Sequence, residues 1–266
     1  MTAWAERTPT VKGLVLIGSR ERSADDQVWA ADAQSDWDFQ IISSAPEMFA
    51  KRDWTNELTG TELKVYAPRV ARIGGVPKVN VIFAGAEADF VIIPARRLML
   101  AKLAMALGRH RREGKLRRGL QDLAVVIRPG WRFLKGGAAW DGLYRRVVAE
   151  VPDLRLRDEE ACGLADVFLC EAVWVRRKID RGELVAAQRM LHGELAETNF
   201  RLLHELKLRR GERSFPEARR IERVTSPADL AAVTVNAALE VEALQRALNR
   251  CEATMLDLLR ELKGAR

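Results

Sequence analysis

Cysteine and histidine are scarce in this chain, at three of each in 266 residues. Cys162, Cys170 and Cys251 form no C-x-x-C pair and no Cys/His cluster, which argues against a zinc module. Their odd number gives no disulfide framework, and they read as reduced thiols in the core. His110, His192 and His204 are scattered, and His110 lies within a basic run, so a Ser/His/Asp triad is not indicated. No apolar stretch approaches the roughly 18 residues of a spanning helix. The first twenty residues also lack the basic-then-apolar layout of a secretory signal. The expectation is a cytoplasmic protein with no membrane partner. Internal repeats and low-complexity segments are absent as well.

What is present is a globular balance, with 48% hydrophobic and 30% charged residues. That balance argues against a largely disordered chain, and the length suits two domains of ordinary size. The formal net charge is +7. Its distribution matters more than its total. Between residues 96 and 118 stand Arg96, Arg97, Lys102, Arg109, Arg111, Arg112, Lys115, Arg117 and Arg118, opposed by the single acid Glu113. The rest of the chain is close to neutral, so the basic character is one local patch. Either a solvated helix end or a phosphate or nucleic-acid contact accounts for it. No aromatics are interleaved for base stacking, so nucleic acid is not the favoured partner.

Along the chain, short Val- and Ile-rich runs at 11–18, 38–43, 78–84 and 88–94 predict strands, with 63–70 as a fifth. Residues 46–58 have Pro46 near the start and apolar positions at helical spacing, which predicts a helix between strands. From Leu98 the pattern turns helical, broken by R-P-G at 128–130 and K-G-G at 135–137. Beyond Leu154 strand signals fade. A long helix is predicted to end near Gly182 and another to follow it. Ser226 is an expected N-cap with Pro227 at the first helical position, and a last helix runs through residues 238–262. The reading is an α/β domain with a mixed sheet over 1–140, followed by an all-helical domain over 141–266.

Residues 35–44, SDWDFQIISS, carry the chemistry. Asp36 and Asp38 are two apart, so on an extended chain both carboxylates leave one face, with Trp37 and Phe39 on the other. Asp is disfavoured in strands, and two like charges side by side repel. A divalent cation would remove that repulsion. Upstream, the first strand runs directly into Gly18 and Ser19. There a missing side chain lets an anion approach the backbone, and Ser19 offers N–H and hydroxyl donors. Downstream, Asp89 opens another apolar strand. Three carboxylates from two strands beside a Gly-Ser turn form an oxygen-rich site suited to one or two Mg²⁺ ions and substrate phosphates.

The order Gly-Ser, Asp-x-Asp, strand-borne Asp resembles the nucleotidyltransferase superfamily that includes DNA polymerase β. More closely, GSR, SDWDF, ADFVIIP and a helical tail carrying RGEL at 181–184 are similar to the aminoglycoside 6-adenylyltransferase (streptomycin adenylyltransferase) family. That resemblance implies a nucleotidyltransferase fold. It also implies transfer of AMP from ATP to a hydroxyl of a small acceptor, an aminoglycoside such as streptomycin, and hence an antibiotic-resistance activity. It implies that Gly18 and Ser19 hold the triphosphate, with Arg20 reaching the same phosphates, and that Asp36 and Asp38 bind the metal. Asp89 is the third ligand or the base that receives the acceptor's proton.

The chain departs from that family in a longer 20–35 segment carrying Asp25, Asp26 and Asp32. Only about ten residues precede the first strand, where relatives have a helix, and R-P-G stands where they have an acidic, lysine-containing turn. In the helical domain, Asp166, Cys170, Trp174, Arg177 and Arg181 share a helix face by their spacing. Asp166 or Glu171 is a candidate general base there, and Arg177 or Lys178 a candidate phosphate ligand. Trp174 reads as core. A polycationic acceptor favours an acidic cleft, which the acids of 21–38 could line, whereas the largest charge feature is basic. Two alternatives stay open. One is a nucleic-acid or protein-binding regulator on the same fold. The other is a nucleotidyltransferase that modifies a protein or RNA.

Overall fold

The structure is a computed structural model that describes residues 1–22, 26, 28–58, 62–215 and 218–265. The chain divides into two compact units, Met1–Leu154 and Arg155–Arg266. The first contains, in order, α1 (Thr2–Arg7), β1 (Val11–Ile17), β2 (Trp37–Ser43), β3 (Leu63–Val70), β4 (Pro77–Phe83), β5 (Ala86–Pro94), α2 (Ala95–Ala106), α3 (Lys115–Ile127), β6 (Arg132–Lys135) and α4 (Gly137–Glu150). The strands form one sheet in the order β3-β4-β5-β2-β1-β6. All neighbours are antiparallel except β2 and β5, which run parallel at its centre.

Alternation along the strands sorts side chains onto two faces. One face carries Leu14, Leu16, Phe39, Ile41, Phe90 and Ile92, which pack with Trp4, Phe49 and Trp54. The other carries Val15, Ile17, Ile42 and Ile93 beneath Leu98, Ile127, Trp140, Leu143 and Tyr144 of α2, α3 and α4. Asp38, Gln40 and Ile42 alternate along this second, helix-covered face. Gln40 is buried, and its Oε1 accepts a hydrogen bond from the Tyr144 hydroxyl at 2.7 Å. Burial pushes the Tyr144 pKa upward, so the phenol stays a donor at any working pH.

Three sequence expectations change here. Residues 46–58 form two 3₁₀ turns, Pro46–Ala50 and Arg52–Glu57, in place of one helix. Phe49 and Trp54, five residues apart, pack onto the sheet from separate turns. A sixth strand, β6, fits between the R-P-G and K-G-G breaks. Gly130 has φ +148°, and an added Cβ there would overlap the Glu21 carbonyl oxygen. The boundary expected at residue 140 falls inside α4, whose buried Trp140, Leu143, Tyr144 and Val147 belong to the sheet's core.

The second unit is all helical among the described residues: α5 (Asp158–Asp180), α6 (Leu184–Met190), a π turn (Leu191–Leu195), α7 (Ala196–Arg209), α8 (Pro227–Val233) and α9 (Val241–Gly264). Ser226 caps α8, its Oγ accepting from the Asp229 N–H at 3.1 Å. Phe168, Val175, Ile179, Leu191, Leu203, Leu248 and Met255 meet in its core. Cys251 is buried there, with its thiol pushed up to about 11 by burial. Cys162 and Cys170 are exposed, which corrects the expectation of three core thiols: both fall on the outward stripe of α5, away from Ala161, Ala165, Phe168 and Ala172.

A buried acid organises this unit. Glu205, 4% exposed, accepts hydrogen bonds from Arg155, from Arg209 at 3.0 Å and from the Leu156 N–H at 2.9 Å. Glu205→Ala removes one of two carboxylates from the mostly buried guanidinium of Arg209, which keeps Asp158 and the Leu156 and Leu262 carbonyls, and it leaves the Leu156 N–H without its acceptor. The expected loss is about 1–3 kcal/mol, read as a lower urea midpoint for the full chain. A shift worth less than about 1 kcal/mol would show that solvent satisfies the arginines.

Candidate active site

The carboxylates converge where β1 ends and β2 and β5 begin. Asp38 pairs in register with Asp89 across the parallel β2–β5 ladder and with Ile17 across the antiparallel β1–β2 ladder. Asp36 lies two residues before Asp38, just outside β2. Ligand oxygens of Asp36, Asp38 and Asp89 all lie within 4.8 Å of one another, and the three residues are half-buried. The opposite face holds the aromatics: Trp37 stacks on Phe39 at 6.2 Å between centroids, and Phe39 on Phe90 at 5.4 Å. Stacking fixes the strand's facing and so aims both acids to one side.

Gly18 opens a 3₁₀ turn, Gly18–Glu21, immediately after β1. Its φ is +78°, and an added Cβ would overlap Asp38 Oδ2. The turn's backbone therefore lies directly against the carboxylate, an approach open only to glycine. Ser19 is buried in the same turn. Arg20 is engaged locally. Its Nε donates to the Asp36 carbonyl at 3.0 Å, its Nη2 donates to the Ser35 carbonyl, and its guanidinium lies 4.2 Å from the centroid of the Trp37 ring. These contacts make Arg20 a positioning residue for the approach to β2. Glu21 ties the turn to β6 through Arg132 at 3.0 Å.

Of the acids in the 20–35 segment, Asp26 accepts from the Trp29 N–H, and Asp32 accepts from the Gln34 N–H and the Ser35 hydroxyl. Asp25 lies outside the described residues.

Two side chains at the cluster escaped the sequence reading. Lys78 Nζ is 2.5 Å from Asp89 Oδ2, and Asn80 Nδ2 donates to Asp89 Oδ1. Both stand on β4, where Asn80 is opposite Asp89 and Lys78 opposite Val91. The signal was in the chain: Phe83 and Ala86 pair across the two-residue turn Ala84-Gly85, with Gly85 at φ +91°. Counting back from such a hairpin gives the register.

In the second unit, Asp166, Cys170, Trp174 and Arg177 are all on the exposed side of α5, Glu171 is half-buried, and Lys178 Nζ pairs with Glu183 Oε2 at 2.8 Å. That contact holds the Glu183 carboxyl below its usual range. Trp174 is 51% exposed, not core, because it falls between the inward positions Ala172 and Val175.

The first unit is thus a mixed-sheet α/β fold bearing three carboxylates against a glycine turn. Among solved structures, the chain is similar to an aminoglycoside 6-adenyltransferase from Bacillus subtilis, at 11% identity, with 98% of this chain and 87% of that chain covered and a TM-score of 0.42. It is also similar to a nucleotidyltransferase-like protein from Exiguobacterium sibiricum, at 12% identity, 96% and 72% coverage and a TM-score of 0.37. At these scores the likeness assigns neither residue nor activity. No family model and no curated protein matches the chain.

Proposed function

We propose that the chain is a Mg²⁺-dependent nucleotidyltransferase that moves AMP from ATP to a hydroxyl of a small acceptor, with an aminoglycoside such as streptomycin the first candidate. The observation that carries this reading is the convergence of Asp36, Asp38 and Asp89 within 4.8 Å of one another beside the Gly18 turn. The donor set fits the ion. Its ligands are all hard carboxylate oxygens, two of them on central strands and the third just ahead of β2, and the buried Asn80 Oδ1 beside them has no hydrogen-bond partner. When bound, the ion supplies neutralisation of the triphosphate and of the charge that develops on its oxygens.

The remaining work falls to the chain. Asp36 and Asp38 hold the ion's side of the site, and the turn that Gly18 sets against Asp38 offers its backbone N–H groups to the polyphosphate. The acceptor oxygen forms its bond to the α-phosphorus as the bond to pyrophosphate breaks. Asp89 takes the acceptor's proton or joins the metal ligands. Positioning and electrostatic stabilisation then account for most of the rate.

The test incubates the protein with Mg²⁺, each labelled nucleoside triphosphate and an aminoglycoside panel. Pyrophosphate release and a product heavier by one nucleotide are expected. No turnover with any nucleotide would overturn the reading.

A second reading is favoured by α2 and the segment after it. Met99, Leu100, Leu103 and Leu107 are exposed among Arg96, Arg97, Lys102 and Arg109. Such a surface suits a macromolecular partner, either RNA or protein, bound by a regulator or modified by the same chemistry. Salt-dependent RNA binding without nucleotide turnover would favour the regulator. Labelling of a protein or RNA, but of no aminoglycoside, would favour macromolecular transfer.

A further inference from the structure

The acidic cluster already has a cation. Lys78 reaches from β4 to Asp89 Oδ2 at 2.5 Å, while Asn80 holds Oδ1 from the same strand. The two contacts differ in kind. Asn80 is short and stands directly opposite Asp89 in register, so its amide is fixed by the sheet. Lys78 approaches diagonally on a flexible four-carbon stem, with 27% of its side chain exposed. A lysine is a compact point charge that can change partners without moving the backbone.

Charge makes the arrangement informative. Three carboxylates within 4.8 Å are a costly set of like charges in a half-buried place. One ammonium at Asp89 offsets part of that charge, and a divalent ion would offset more of it. Metal and ammonium therefore address the same carboxylate, and both together crowd Asp89 with like charge. A nucleoside triphosphate brings new anionic oxygens to the same spot. The exposed part of the Lys78 side chain leaves it room to turn toward them.

We propose that Lys78 is the stand-in cation of this site. It holds Asp89 while no metal is bound, yields Asp89 Oδ2 when a divalent ion arrives, and then pairs with the triphosphate of the nucleotide. This inference rests on the nucleotidyl-transfer reading above. It assigns Lys78 to substrate binding, a role the sequence reading did not give it.

The test measures Mn²⁺ binding by electron paramagnetic resonance, and binding of α,β-methylene-ATP in saturating Mn²⁺ by calorimetry, for wild type, Lys78→Met and Lys78→Arg. Lys78→Met is expected to bind Mn²⁺ alone about tenfold more tightly and the nucleotide analogue about tenfold more weakly. Lys78→Arg keeps the charge and is expected to stay within about threefold of wild type on both, and circular dichroism checks that each variant is folded. The opposite signs are the signature, since a merely structural ion pair would leave both affinities unchanged or lower both together. Either of those results overturns the proposal. If Lys78→Met does not fold, the analogue's affinity for Lys78→Arg decides: a loss greater than about tenfold despite the retained charge overturns it, and near-wild-type binding supports it. Asp38→Asn separates the two levels. Wild-type Mn²⁺ binding that Asp38→Asn abolishes upholds the metal site whatever Lys78 does. Absence of Mn²⁺ binding in wild type removes both the site and the role of Lys78.

Discussion

Asp36→Asn and Asp38→Asn are each expected to lower nucleotide transfer by at least about a thousandfold while leaving the protein folded. The two effects have one cause. Each substitution keeps the shape of the side chain but removes an anionic ligand, so the ion that neutralises the triphosphate is held by one carboxylate fewer. In the metal-free protein the same change relieves repulsion among groups within 4.8 Å of one another. The thermal midpoint should therefore stay level or rise slightly. Initial rates with labelled ATP, set beside thermal melts with and without Mg²⁺, check both halves. Full activity in both variants would reject the site, and a collapse of the fold would show that the acids are structural.

The second large effect is expected at Gly18. Gly18→Ala places a Cβ on a backbone with φ +78°, which costs about 1–2 kcal/mol by itself. It also drives that Cβ into Asp38 Oδ2, so the carboxylate must move. Gly18→Asn separates these causes, because asparagine tolerates the left-handed region but still carries the Cβ. The stability loss should be smaller in Gly18→Asn than in Gly18→Ala. Activity should fall at least about a hundredfold in both, approaching the Asp38→Asn level. Urea midpoints and turnover measured on the same preparations decide it. An active Gly18→Asn variant would mean that Asp38 can retreat without harm.

Several of these features were legible in the chain before its fold was known. The Val- and Ile-rich runs at 38–43 and 88–94 were visible because central strands bury side chains on both faces and so read as nearly continuous apolar segments. The two-residue spacing of Asp36 and Asp38 already put them on one side of the strand. What periodicity does not carry is partnership. Nothing local says that β5 lies beside β2, which is what brings Asp89 to Asp38. Likewise Trp140, Leu143, Tyr144 and Val147 mark an apolar helix face without naming what covers it, and so a boundary at residue 140 cuts through α4. β6 is only four residues long and sits between two glycine breaks, below the length at which alternation can be recognised. The apolar residues of 46–58 read as one helix, but Phe49 and Trp54 are five apart and are buried from separate 3₁₀ turns. Lys78 and Asn80 were overlooked because a strand's polar positions ordinarily face solvent.

The lone parallel pairing in the sheet has a further implication for how the acidic centre comes into being. A hairpin can close within a few residues, but β2 and β5 meet only after β3 and β4 have been threaded to one side. Asp38 and Asp89 therefore share a neighbourhood only once the long-range topology is complete, so a nascent chain or a fragment ending short of β5 would carry the Asp-x-Asp pair without its third acid. Magnesium binding at this centre would then report on the integrity of the whole sheet, and any local opening that parts the two middle strands would extinguish it.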